Sequence, residues 1–446
     1  MTGTHIERPR CQCALGGALI TINAMKGAAA LVPASPGWAA RADASASQGA
    51  GYWGTTANNG RATPSTNLHE REIVFGGEER LREQISTTRE VVDAELFAVL
   101  TGCMTDIIGD DVKAVVAEGR NGRKDLVVAE TGGFRGTTFD GYDLIWKALV
   151  EQYVEPAAQK EPALVNILGV VPTQDVFWRG NLLELKRLLE AIGVSANTFV
   201  TPFDELPALR GAGKASLNIV LSDTNGIKVA QRFEEAHGTP WFNTALPIGP
   251  TATTEFLRDI GRRLGLDQDR IERVIEAESK YYYAFVEPFA DLYNDQDFQR
   301  NVVIVGTASG AYALTRFAAD DLNWLPFATA ITDSLDEAQI EKVKARFEQL
   351  RPETRPHVVF ETDTSRIQER VLKLASELGD PYGEPLSPAF VLGSTLDRPL
   401  AAAIKGGFLS VSYPVVNRVV TDQGYSGYRG GLRLITDILS VLVSNR

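Results

Sequence analysis

The chain has 446 residues, 44% of them hydrophobic and 23% charged, with a formal net charge of -12. That balance suits a folded chain long enough for about three domains of roughly 100–200 residues, and its acidity argues against nucleic acid or anionic membrane as the main partner. No run reaches the roughly 18 uninterrupted apolar residues of a membrane span, and three cysteines are too few for a disulfide framework, so the expected compartment is the cytoplasm.

The stretch 15–32 comes nearest to a span, but Asn23, Lys26 and several small residues interrupt it. Arg8 and Arg10 before it and alanines after it invite a secretion-signal reading; its glycines, its lysine and the two cysteines at its start argue against one. Residues 35–64 are rich in Gly, Ala, Ser and Asn without periodicity, and read as a loop lying on a surface or ordered by a partner. After residue 89, short β-rich runs alternate with amphipathic patterns. Strands are expected at 96–101, 126–130, 165–170, 197–200, 217–221, 302–305, 357–361, 390–392 and 408–412, and helices at 182–192, 255–264, 337–350, 366–378 and 432–443. Such alternation makes βαβ units and parallel sheets.

The expected fold class is therefore α/β, with three doubly wound domains and mostly parallel sheets, divided as 1–160, 161–296 and 297–446. The first boundary falls in polar residues 159–162, which end in proline. The second closes a long polar and aromatic helical stretch, 270–297, that carries Tyr281, Tyr282 and Tyr283 and bridges two domains.

Ligands of open α/β sheets sit outside the carboxyl ends of strands. Cys103, in Thr101-Gly102-Cys103, ends one expected strand; Thr131-Gly-Gly-Phe-Arg-Gly136 ends the next; Gly306-Thr-Ala-Ser-Gly310 follows a third. Cys103 is equally well read as a buried core thiol. The third turn lacks a P-loop lysine and reads as a plain βα turn. Cys11 and Cys13, with Gly16 and Gly17 close behind, suit an iron–sulfur cluster, which needs soft ligands and close backbone approach; two inert thiols is the plainer reading. The four histidines are scattered and make no metal pattern.

Taken together, these motifs resemble the nitrogenase component-one family. Asn67-Leu-His-Glu-Arg-Glu-Ile-Val-Phe-Gly-Gly77 is similar to its acidic residue followed by Val-Phe-Gly-Gly, and Thr101–Asp111 to its Thr-Thr-Cys-x-x-Glu-x-Ile-Gly-Asp-Asp. Thr131–Gly136 with Gly141-Tyr142 resembles the next turn, and Tyr413-Pro414, Asn417-Arg418 and Gly427-Tyr-Arg-Gly-Gly431 resemble the β-type C-terminal end. The resemblance implies a β-type subunit of a nitrogenase-like reductase, paired with a homologous α-type subunit in an α2β2 heterotetramer. A homodimeric iron protein, which binds the ATP that this chain does not, would deliver electrons to an iron–sulfur cluster at the α/β interface. Cys13 and Cys103 match two of the family's three ligand positions, with Gly102 beside the second of them. The remaining position, a cysteine in a His-Gly-Ser-Gln-Gly-Cys loop, holds Trp38 in Pro33-Ala-Ser-Pro-Gly-Trp38. Either Cys11 replaces the lost ligand in an eight-iron cluster, or the cluster is a smaller four-iron one or is held mainly by the other subunit, and Trp38 packs over it or fills the vacated space. The substrate site is expected in the α-type partner. Methylthio-alkane (carbon–sulfur) reduction is the specific activity expected; a cofactor-assembly scaffold and a dinitrogen-reducing β subunit are the alternatives.

Overall fold

The computed structural model describes residues 5–52, 63–289, 298–378 and 386–444. Its strands are β1 (Ala28–Leu31), β2 (Leu96–Leu100), β3 (Leu126–Ala129), β4 (Glu161–Leu168), β5 (Ser195–Asn197), β6 (Ala215–Val220), β7 (Trp241–Asn243), β8 (Asn301–Gly306), β9 (Leu325–Ile331), β10 (His357–Phe360), β11 (Ala389–Gly393) and β12 (Gly407–Ser410). They form three sheets, in the orders β1-β2-β3, β5-β4-β6-β7 and β10-β9-β8-β11-β12. All the pairings are parallel. This is the three-sheet α/β architecture expected from the sequence.

Parallel sheets are covered on both faces, so their strands run apolar rather than alternating. In the first sheet every residue of β1, β2 and β3 is buried. One face packs under α1 (Ala14–Ala24) and the helix Thr138–Gln152. The other packs under α4 (Glu78–Val91) and the helix Val112–Arg120, through Leu81, Ile85, Val115 and Val116.

Several elements correct the sequence pattern, each for a physical reason. The stretch 15–32 holds α1 and β1. All 11 residues of α1 are buried, so no polar face gives it a period, and β1 reads Ala-Ala-Ala-Leu, small rather than β-branched. The expected loop 35–64 contains a helix, α2 (Trp38–Gln48); its alanines favour helix without making an apolar stripe, and residues 53–62 of that loop lie outside the described residues. The strand expected at 197–200 lies instead at β5, because the chain turns sharply at Phe199, whose φ is 68°. Pro326 hides β9, yet the sheet accommodates it where the β8–β9 register shifts between Val302 and Val303. The helical stretch 270–297 is present as Gln268–Val286; its end, 290–297, lies outside the described residues.

Two contacts set the position of the N-terminal cysteines. A methyl group on Gly17 would lie 2.0 Å from the Thr138 carbonyl oxygen, and one on Gly141 would lie 1.9 Å from that of Ala14. The helices α1 and Thr138–Gln152 therefore cross backbone to backbone, an approach that only glycine permits. Ahead of α1, the backbone N–H groups of Glu7 and Arg8 donate to the Asp363 carboxylate at 2.9 and 3.2 Å. Arg10 makes a bidentate pair with Asp397, its Nη1 lying 2.9 Å from Oδ2. This arm thus lies against the third sheet's helices while Cys13 opens a helix of the first.

Candidate functional site

The carboxyl ends of β1, β2 and β3 open on one side of the first sheet. After β2 the chain turns through Gly102 into α5 (Cys103–Ile108), which places Cys103 at the helix's first residue. Gly102 donates its N–H to Thr105 Oγ1 at 3.1 Å, and a methyl group there would lie 3.1 Å from the Pro33 carbonyl. After β3 the chain makes a 3-10 turn at Gly133–Arg135. Cys13 is the residue before α1 and pairs by an isolated bridge with Thr137, just beyond that turn.

Cys13 and Cys103 meet at Gly133. Its backbone N–H donates to Cys103 Sγ at 3.1 Å, and a methyl group on it would lie 2.8 Å from Cys103 Sγ and 3.5 Å from Cys13 Sγ. The residue marking this cradle is one the sequence pattern does not single out within its Gly-rich turn. Of the expected cofactor-side glycines, Gly102 closes on Pro33 and Gly17 on Thr138, while a methyl on Gly16 would strike the Gln12 side chain. Gly17 is thus required by helix packing. Trp38 starts α2, half-buried and packed against the main core.

Cys11 lies elsewhere. It lines a small cavity with Thr332, Asp333 and Tyr413 at the third sheet, and burial pushes its thiol up to about 11. Among the described residues, no three His, Cys, Asp or Glu side chains gather as a metal-binding group. The Gly306–Gly310 turn is a βα turn: Thr307 caps the helix Ala308–Asp320, and Asp333 accepts the Ala308 N–H at 2.7 Å.

Near the thiol pair the surface exposes several large apolar side chains beside the Asp106–Arg135 ion pair. Val74 and Phe75 on α3 (Glu70–Phe75), Ile107 on α5 and Phe134 in the turn after β3 are 69–83% exposed. Exposed clusters of large apolar side chains mark surfaces that another molecule covers.

The donor set can be weighed against an iron–sulfur cluster. Four thiolates hold a simple four-iron cluster; this chain brings two to one cradle, with a backbone N–H already directed at one sulfur. The residues fit half of a shared site. A cluster needing three cysteines from this chain would lack one in this cradle, since Cys11 faces another cavity.

Three parallel α/β sheets thus carry a thiol pair at the open end of the first. The chain belongs to the nitrogenase component 1 type oxidoreductase family, whose model matches residues 13–443. It is 27% identical over 287 residues to the nitrogenase molybdenum-iron protein beta chain of Sinorhizobium fredii, covering 57% of this chain and 52% of that one. With the nitrogenase iron-molybdenum cofactor biosynthesis protein NifE of Methanococcus maripaludis it shares 28% over 222 residues, 48% of this chain and 45% of that one. The chain thus spans about half the length of these two relatives. It is 24% identical to the molybdenum-iron protein beta chain of Methanococcus maripaludis over 418 residues, 85% of this chain and 83% of that one. Among solved structures, nitrogenase Cp1 at pH 6.5 superposes with a TM-score of 0.79 at 16% identity, over 100% of this chain and 95% of that one, which establishes the common fold. Among the described residues no helix is long and apolar enough to cross a membrane.

Proposed function

We propose that this chain is the β-type subunit of a nitrogenase-like reductase, in which Cys13 and Cys103 hold one side of an iron–sulfur cluster shared with a homologous α-type subunit. The observation that carries this reading is the thiol pair at Gly133 inside a frame of exposed apolar side chains. Half a ligand set at an uncovered apolar surface is what a centre completed by a partner requires.

When bound, the cluster supplies single-electron storage between an ATP-dependent iron protein and an active site in the α-type partner. This chain's part is to bind and shield. The Gly133 N–H stabilises negative charge on the Cys103 sulfur. The apolar side chains of Val74, Phe75, Ile107 and Phe134 exclude water once a partner covers them. The assembly is an α2β2 heterotetramer, and the three sheets belong to units divided near residues 160 and 296.

Carbon–sulfur bond reduction of methylthio-alkanes is the specific activity proposed. Trp38 at the remaining ligand position supports a smaller cluster than an eight-iron one. A cofactor-assembly scaffold is the second reading, supported by the identity with NifE being as high as that with a beta chain.

Anaerobic co-purification with the α-type subunit, with iron and sulfide quantitation and EPR, tests the proposal. About four irons per interface is expected; absence of interface iron would remove the relay role. Turnover of a methylthio-alkane with iron protein and ATP separates reductase from scaffold.

A further inference from the structure

Away from the thiol pair, the carboxyl ends of the second and third sheets border a partly open cleft. One lobe, of about 70 Å³, is lined by residues that include Gln174, Asp175, Thr307 and Ser412. A second, of about 10 Å³, is lined by Gln174, Thr307 and Ser412 again, together with Thr332 and Asp333. The shared residues make the two lobes neighbours, and the smaller is about the size of one water or one ion.

Asp333 is nine-tenths buried. Its Oδ2 accepts the Ala308 N–H, but its Oδ1 has no hydrogen-bond partner. Asp175, on the other lobe, accepts the Val171 N–H at 2.6 Å. Among the described lining residues Arg10 is the one cation, and it is committed: Nε donates to Thr364 Oγ1, and Nη1 and Nη2 to Asp397. Burial pushes both carboxyls up to about 7, so near neutral pH either a proton or a bound cation must neutralise them, and Asp333 Oδ1 is left bare for it.

We propose that this space is a binding site for a hard divalent cation of the Mg²⁺, Ca²⁺ or Mn²⁺ class, held by Asp333 Oδ1 and the neutral oxygens around it. Hydroxyl and amide oxygens from Thr307, Thr332, Ser412 and Gln174, supplemented by water, are the ligand types such ions take. The position agrees with the rule for open α/β sheets, since the lining lies just beyond the carboxyl ends of β4, β8, β9 and β12. The cation joins the second unit to the third and sits beside the N-terminal arm, so its occupancy bears on how firmly these parts close. It lies apart from the Cys13–Cys103 cradle, although Cys11 lines its smaller lobe.

The test uses the purified assembly, desalted and titrated with Mn²⁺ while the free aquo ion is followed by EPR. One Mn²⁺ per copy of this chain is expected, and Asp333→Asn should weaken binding at least tenfold with the iron content unchanged. Absence of stoichiometric Mn²⁺ binding up to millimolar concentrations, or equal binding by D333N, would overturn the proposal. Should D333N fail to fold, the thermal midpoint of the unaltered protein decides the matter. A midpoint that climbs with Mn²⁺ concentration supports the site, and one indifferent to Mn²⁺ overturns it.

Discussion

The backbone N–H of Gly133 donates to the sulfur of Cys103, and the gap between them is too small for any side chain. That contact makes glycine at 133 a condition for the cradle. Gly133→Ala forces a methyl group to 2.8 Å from Cys103 Sγ, so the turn or the thiol must move. Overpacking of this kind costs about 1–3 kcal/mol. The expected result is a lower urea midpoint together with a fall in iron bound by the anaerobically purified assembly.

The three cysteines should separate cleanly. Cys13→Ser and Cys103→Ser should each abolish the interface iron and its EPR signal, because both sulfurs converge on Gly133. Cys11→Ser should leave the iron unchanged, because its side chain lines the cavity beside Asp333. Loss of iron in C11S would mean that Cys11 rotates into the cradle on loading and replaces the ligand missing at Trp38.

Arg10→Met strands a carboxylate. Asp397 is 3% exposed and, among the described residues, keeps the Ser394 backbone and hydroxyl donors once the guanidinium is gone. Breaking a buried pair in this way costs about 3–5 kcal/mol. Equilibrium denaturation should register the loss, and adding D397N should recover part of it; a silent R10M would show that the arm contributes nothing to stability.

Asp143 gives a pH prediction. Burial raises its carboxyl to about 7, against the ordinary 3.8, although the Gly226 N–H donates to it at 2.7 Å. The folded state thus holds a proton that the unfolded chain has released between pH 4 and 7. Stability from this group is present below pH 4 and declines as pH rises towards 7. Asp143→Asn keeps the acceptor and removes the titration, so its thermal midpoint should exceed that of the unaltered protein more at pH 8 than at pH 5. An equal difference at both pH values would discard the assignment.

The sequence revealed the fold where strands were β-branched and helices two-faced, as in β8 and the helix Thr364–Leu378, expected at 366–378. It concealed α1, which has no polar face, and β1, whose alanines carry no strand preference. Pro326 concealed β9, since only the register shift opposite it makes room for a proline in an interior strand. At the candidate site, Cys13 and Cys103 stood out by residue type and by position at element ends. Gly133 did not, because its role depends on two sulfurs that lie 30 and more residues away in the chain. Gly17 was visible as a glycine, but the reason for it, a carbonyl on the helix Thr138–Gln152, exists only in three dimensions. Nor did any local pattern foretell that Cys11, two positions from Cys13, faces another sheet.

The arm has a consequence for the order of events during synthesis. Arg10 and Asp397 are separated by 387 positions. At about 5–20 residues per second, the ribosome reaches Asp397 roughly 20–80 s after Arg10. For that interval residues 5–10 have no seat, while the first sheet is already free to form behind them. Closure of the arm therefore reports that the third sheet's helices have been made, and the segment leading into Cys13 acquires its final anchor only after residue 397 has been added.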